Sequence, residues 1–221
     1  MASDFPLYHL SKASSIADKD RPLLILLHGY GSHEQDLFSF ASELDDRYTI
    51  LSLRAPHDLG FGGYAWFNID FTPEGIKVYD QSEIQSSLAL IKEFIQQAKV
   101  AYGVGKEKVI LAGFSQGAIL SYLIGLSDPA SIDGILAMSG FIPQNSLAEI
   151  STKEELKQLA ICITHGTEDP VIPIEQARES KAYLEEQELT FDYHEYPMAH
   201  GISPECLMQI RQWTKKQLTN N

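Results

Sequence analysis

The sequence predicts an α/β fold: a mostly parallel central sheet with helices covering both of its faces. Two observations carry this. Short apolar runs alternate with longer segments of helical period along nearly the whole chain, and the runs are continuously apolar. A strand with one face in water alternates apolar and polar residues, whereas a strand covered on both sides does not. Strand, helix, strand, helix in regular order is the pattern of a doubly wound sheet.

Strands are expected over residues 23–27, 48–53, 108–114, 134–139 and 159–164. Residues 190–196 alternate and are rich in β-formers, so they read as a last strand near an edge. Between these lie the helices. Over 81–101, Ile84, Leu88, Ile91 and Ile95 recur at helical spacing, and Gly103 and Gly105 stop the helix. Residues 118–125 continue helically after a glycine-flanked serine, and 146–158 and 174–187 are charged and amphipathic. Ser203 caps a final helix with Pro204 in its first turn, and Leu207, Ile210 and Trp213 are expected on its buried face. Residues 55–79 form an irregular segment rich in glycine and aromatics, a length usually kept for function. All of residues 1–221 read as one domain, with 1–20 an edge strand or an extension.

Composition removes several function classes. Seventeen basic against thirty acidic residues leave a net charge of −13, which argues against nucleic-acid binding and docking on anionic membranes. Residues 1–20 contain no apolar run preceded by basic residues, and no stretch is long enough to span a bilayer, so neither a secretory signal nor stable membrane insertion is expected. Cys162 and Cys206 have no metal-ligand spacing, and Cys162 sits in an apolar run as a small hydrophobe. A reducing cytoplasm fits these cysteines better than a disulfide scaffold.

In such sheets ligands bind beyond the carboxyl ends of the strands, so the chemistry is expected from the residues there. The run 108–114 leads into Gly113-Phe114-Ser115-Gln116-Gly117 and then a helix. A serine nucleophile needs this strand–turn–helix, because a sharp turn lifts its hydroxyl above the sheet and the glycines let strand and helix approach. An alcohol also needs a base. His28, His33 and His57 precede Ser115, His9 lies in the unstructured start, His165 precedes the acidic candidate, and His194 lies within a strand. His200 remains, on the loop after the last strand. Asp169 is preferred to Glu168 as the residue orienting it, because Pro170 holds Asp169 extended at a strand end. Backbone N–H groups of Tyr30, in the glycine-flanked loop after the first apolar run, and of Gln116 are expected to form an oxyanion hole, their side chains mattering less.

These segments together resemble the phospholipase/carboxylesterase family of α/β-hydrolases, the group of acyl-protein thioesterases and small bacterial carboxylesterases. The resemblance rests on Leu27-His28-Gly29-Tyr30-Gly31, on Arg54-Ala55-Pro56 followed by Trp66-Phe67, on the Ser115 pentapeptide, on His165-Gly166 with Asp169 and Val171-Ile172-Pro173, and on His200-Gly201. It spans about residues 22–217. It implies an α/β-hydrolase without a large lid domain and hydrolysis of esters or thioesters without metal or cofactor. Tyr30 departs from the aliphatic residue expected after His-Gly, and its ring would narrow the acyl entrance.

The expected function is therefore a serine carboxylesterase acting on small short- to medium-chain esters through an acyl-enzyme, with the acyl group lying against Phe61, Tyr64, Trp66 and Phe67. An acyl-protein thioesterase or lysophospholipase is the second enzyme reading. A non-catalytic binding protein on the same fold is the reading from another class, and a peptidase has less in its favour. Pairing into a homodimer is left open.

Overall fold

The continuous apolar runs become the middle of a seven-stranded sheet. The computed structural model describes residues 5–16, 21–75, 77–104, 108–147 and 150–219. In chain order the elements are β1 (His9–Lys12), β2 (Leu23–Leu27), α1 (Gln35–Phe38), β3 (Thr49–Leu53), β4 (His57–Asp58), β5 (Tyr64–Ala65), β6 (Ile69–Phe71) and β7 (Lys77–Tyr79). Next come α2 (Gln81–Ala101), β8 (Val109–Phe114), α3 (Gln116–Ser127), β9 (Gly134–Met138), a 3₁₀ turn at Gln144–Ser146 and α4 (Lys153–Leu156). The last are β10 (Ala160–Gly166), α5 (Ile174–Glu186), β11 (Asp192–Tyr196) and α6 (Pro204–Gln217).

The sheet order is β1-β3-β2-β8-β9-β10-β11, parallel throughout except that β1 runs antiparallel to β3 at one edge. The edge strand held open at the amino terminus is therefore β1, and β11 is the opposite edge. Both faces are covered, which explains why the runs do not alternate. Leu23, Ile25 and Leu27 of β2 face one apolar layer with α2 and α3, while Leu24 and Leu26 face a second with α1 and α6.

Helix ends follow local chemistry. Asp80 caps α2 by accepting the N–H groups of Ser82 and Glu83. At its other end Gly103 takes φ 67°, with Val104 N–H on Lys99 O at 2.9 Å and Gly103 N–H on Val100 O at 3.3 Å. This is a Schellman closure. Gly105 lies outside the described residues. Ser203 caps α6 as expected, but Leu207 is only half-buried; the buried face is Cys206, Ile210, Trp213, Thr214 and Gln217.

Two expectations are corrected. The helix read over 146–158 is one 3₁₀ turn and the single-turn α4 among the described residues. Thr152 Oγ1 accepts Glu155 N–H at 3.4 Å and the Glu155 carboxylate takes Thr152 N–H at 2.8 Å, a capping box that starts a helix in mid-segment. β10 then begins at Ala160 and leaves room for one turn. Residues 55–79 are not simply irregular: they hold two short antiparallel hairpins, β4–β5 and β6–β7.

Candidate active site

The turn between β8 and α3 places Ser115 at φ 54° and ψ −114°, a region that residues with a Cβ rarely occupy. The surroundings hold it there. Ser115 N–H donates to Met138 O at 2.9 Å and its carbonyl accepts Ile119 N–H at 3.1 Å. The turn closes only because its flanks lack side chains: a Cβ on Gly113 would meet the Gly117 carbonyl at 2.1 Å, and one on Gly117 would meet Leu27 O at 2.1 Å. The serine is 8% exposed at the carboxyl end of the sheet.

Strand β10, one strand beyond β9 from the elbow, delivers Asp169. Its Oδ1 accepts the N–H groups of Val171 at 2.8 Å and Ile172 at 2.9 Å, which fixes the carboxylate plane. Oδ2 accepts His200 Nδ1–H at 2.7 Å. Glu168, the competing carboxylate, is exposed. His200 arrives on the loop after β11, which lies close to β10 because Gly166 is bare; a Cβ there would meet Met198 O at 2.1 Å. The His200 ring sits 4.8 Å, centroid to centroid, from Phe114, the residue before Ser115. With Nδ1 spent on the carboxylate, Nε2 is the ring's remaining basic position.

A second buried histidine supports this corner. His165 Nε2–H donates to Ile172 O at 2.8 Å and stands 3.5 Å from Asp169 Oδ2. Burial pulls its pKa below the ordinary value, so it remains a neutral donor.

The loop after β2 brings Gly29 against the elbow: a Cβ on Gly29 would lie 3.2 Å from Ser115 Cβ. Gly31 N–H donates to Tyr64 O at 2.9 Å and Ser32 N–H to Gly29 O at 3.3 Å. Tyr30 N–H has no hydrogen bond among the described residues. Gln116 is the first residue of α3, where N–H groups lack intrahelical acceptors. Two free amides thus flank Ser115. The Gln116 side chain matters more than the sequence suggested. It is 2% exposed, its Oε1 accepts Trp66 N–H at 3.0 Å, and its Nε2–H donates to Phe67 O at 2.7 Å.

That clamp corrects the expectation for the aromatic loop. Trp66 and Phe67 are fully buried in the core, with Trp66 Nε1–H on His28 O at 2.9 Å, so neither ring offers a face to an entering acyl chain. Tyr64 is half-buried with the Arg54 guanidinium 4.7 Å from its ring, and Phe61 is exposed. A groove of about 1000 Å³ opens elsewhere, lined in part by Tyr79, Phe141, Ile142, Pro170, Val171 and Pro173. Pro170 and Val171 follow Asp169 directly, and Gly140, before Phe141, approaches Ser115 so closely that a Cβ added there would meet Ser115 O at 3.2 Å. The groove residues named lie on strand β7 and on the loops after β9 and β10, so no sequence spacing announced them. Among the described residues, no group of three or more His, Cys, Asp or Glu gathers as a metal would need, and no helix is long and apolar enough to cross a membrane.

A mostly parallel sheet with a strained serine between strand and helix defines a hydrolase of the α/β-hydrolase fold. The chain belongs to the phospholipase/carboxylesterase family, whose model matches residues 11–218. It is similar to acyl-protein thioesterase 1 of Kluyveromyces lactis, 30% identical over 93% of this chain and 97% of that one. It is 28% identical to acyl-protein thioesterase 1 of Schizosaccharomyces pombe over 87% of this chain and 89% of that one. The solved carboxylesterase of Bacillus cereus superposes with a TM-score of 0.80 at 23% identity, covering 96% of this chain and 94% of that one, a likeness of fold.

Proposed function

We propose that this hydrolase is a serine carboxylesterase working through an acyl-enzyme. Ser115 Oγ attacks the ester carbonyl while His200 Nε2 takes its proton. Asp169 holds the ring in the Nδ1–H tautomer and stabilises the imidazolium formed during attack. The oxyanion rests on the N–H groups of Tyr30 and Gln116. His200 then protonates the leaving alcohol, and activates the water that releases the acid. The acyl chain runs into the groove between Phe141 and Val171 rather than against Trp66 and Phe67.

The observation that carries the reading is the 2.7 Å bond from His200 to a carboxylate whose other oxygen is already held by two backbone amides. Ser115→Ala is expected to abolish both ester turnover and labelling by a fluorophosphonate; labelling that survives the substitution removes Ser115 from the role.

Thioester substrates form the second reading, favoured by the similarity to two fungal acyl-protein thioesterases. Rates against p-nitrophenyl esters of increasing chain length, beside a palmitoyl thioester, separate the two. An optimum at short or medium esters supports the first; a rate that climbs to the palmitoyl thioester supports the second.

A further inference from the structure

His28 follows β2 directly, and the proposed reaction gives its ring no proton to move. Yet the ring is fully buried and both nitrogens are engaged. The Ala55 N–H donates to Nε2 at 3.1 Å. A ring nitrogen that accepts carries no proton, so the neutral imidazole holds its proton on Nδ1. That proton is donated to the Gly29 carbonyl at 2.7 Å. Burial lowers the pKa of His28 and keeps it neutral, as the arrangement requires, since an imidazolium has no acceptor for the Ala55 N–H. The backbone carrying the ring is held too, His28 O accepting from Trp66 Nε1–H at 2.9 Å.

The Gly29 carbonyl and the Tyr30 N–H belong to one peptide group. The described peptide bonds are trans, so this C=O and N–H lie in one plane and point in opposite directions. Fixing the oxygen therefore fixes the direction of the N–H. Two donors converge on that oxygen, His28 Nδ1–H and, at 3.3 Å, Ser32 N–H. The amide left unspent is that of Tyr30, next to a glycine that packs against Ser115.

We propose that His28 is a positioning residue: its Nδ1–H clamps the Gly29 carbonyl and, through the rigid peptide, aims the Tyr30 N–H at the developing oxyanion. The proposal rests on the reading of Ser115 as nucleophile. An amide whose carbonyl accepts a hydrogen bond is also polarised, which makes its N–H a better donor. His28 thus acts on the reaction without touching substrate.

The two isosteric amides separate this role from simple packing. Asn sets an N–H near the Nδ1 position, and Gln reaches the Nε2 position instead. H28N therefore keeps the donor to Gly29, whereas H28Q loses it and keeps the acceptor for Ala55. For H28Q, kcat on p-nitrophenyl butyrate is expected to fall about 10–100-fold with KM within about threefold, part of what outright loss of an oxyanion donor costs. H28N is expected within about fivefold of the parent, with the rate of fluorophosphonate labelling following kcat in both variants. An unimpaired H28Q, or equal losses in the two variants, overturns the proposal. Should H28Q fail to fold, ¹⁵N NMR of the unsubstituted protein decides. The His28 ring must show a protonated Nδ1 and a bare Nε2 at neutral pH, and the opposite tautomer or a charged ring overturns the proposal. Ser115→Ala, assayed alongside, keeps the two levels apart. Turnover by that variant sinks the nucleophile reading itself; an inactive S115A with an unimpaired H28Q sinks only the role of His28.

Discussion

At the scale of single residues, the site depends on side chains whose hydrogen-bonding capacity is nearly used up. Asp169 is the clearest case: Oδ1 serves two backbone N–H groups and Oδ2 serves His200. Replacement by Asn keeps Oδ1 and its two amide partners, so the loop keeps its shape. The new NH₂ group, however, faces His200 Nδ1 and forces the ring to present an acceptor there, moving the proton to Nε2, where the base must be bare. Asp169→Asn is therefore expected to lower kcat by about 10⁴-fold with little change in KM, as in other sites of this design. Steady-state kinetics with a melting curve checks it; a variant that is active, or inactive because unfolded, contradicts the argument. Asp169→Ala has a different cost, since it also strands the Val171 and Ile172 N–H groups. The exposed Glu168 next door makes neither contact.

At the scale of elements, legibility follows how much of an element's environment its own residues encode. The buried parallel strands were readable because an uninterrupted apolar run suits only a strand covered on both faces, and α2 because its stripe and its caps agree. The helix read over 146–158 failed because amphipathic spacing says nothing of the capping box at Thr152 or of the start of β10. The hairpins in 55–79 were invisible for another reason. Strands of two or three residues are held by distant partners, such as Tyr64 N–H on Ser32 O at 2.7 Å and Lys77 Nζ on Val171 O at 2.9 Å. The site divides in the same way: Ser115, Asp169 and His200 could be ordered along the chain, whereas the tautomer of His28, set by the Ala55 N–H, and the Gln116 side-chain clamp depend on backbone groups remote in sequence. The Gln116 clamp, from the first turn of α3 to the backbone after β5, is testable by itself. Gln116→Glu can still accept Trp66 N–H but has no proton for Phe67 O. Stranding that buried carbonyl is expected to cost about 1–3 kcal/mol, with the buried charge adding to it, read as a lowered urea midpoint at unchanged slope. An unshifted midpoint means the clamp bears no load.

At the scale of the whole molecule, histidines drawn wholly or partly out of water couple folding to pH. His9, His28 and His165 all have pKa values pulled below the ordinary 6.5, in each case first by burial. At His28 the geometry agrees, since Nε2 already accepts the Ala55 N–H; at His165 the Asp169 carboxylate 3.5 Å away opposes the effect of burial without overcoming it. In the unfolded chain the same imidazoles take up protons as the pH falls through 6.5. Between that value and the lower folded values the unfolded state binds more protons than the folded one. Stability therefore rises with pH across this window, is complete above it, and is lost as acid is added. Each histidine contributes at most about 1.4 kcal/mol per pH unit to the slope. Carboxylates held low in the fold, such as Glu34 by Arg54, add loss of the same sign only at more acid pH. Urea unfolding from about pH 5.5 to 7.5 is thus expected to show a positive slope that flattens above neutrality. H28N, whose side chain does not titrate, is expected to have the shallower slope by up to about 1.4 kcal/mol per unit. A stability flat across this range would mean that the buried rings accept protons without unfolding. The single His28 tautomer on which the oxyanion geometry depends would then not survive mild acid.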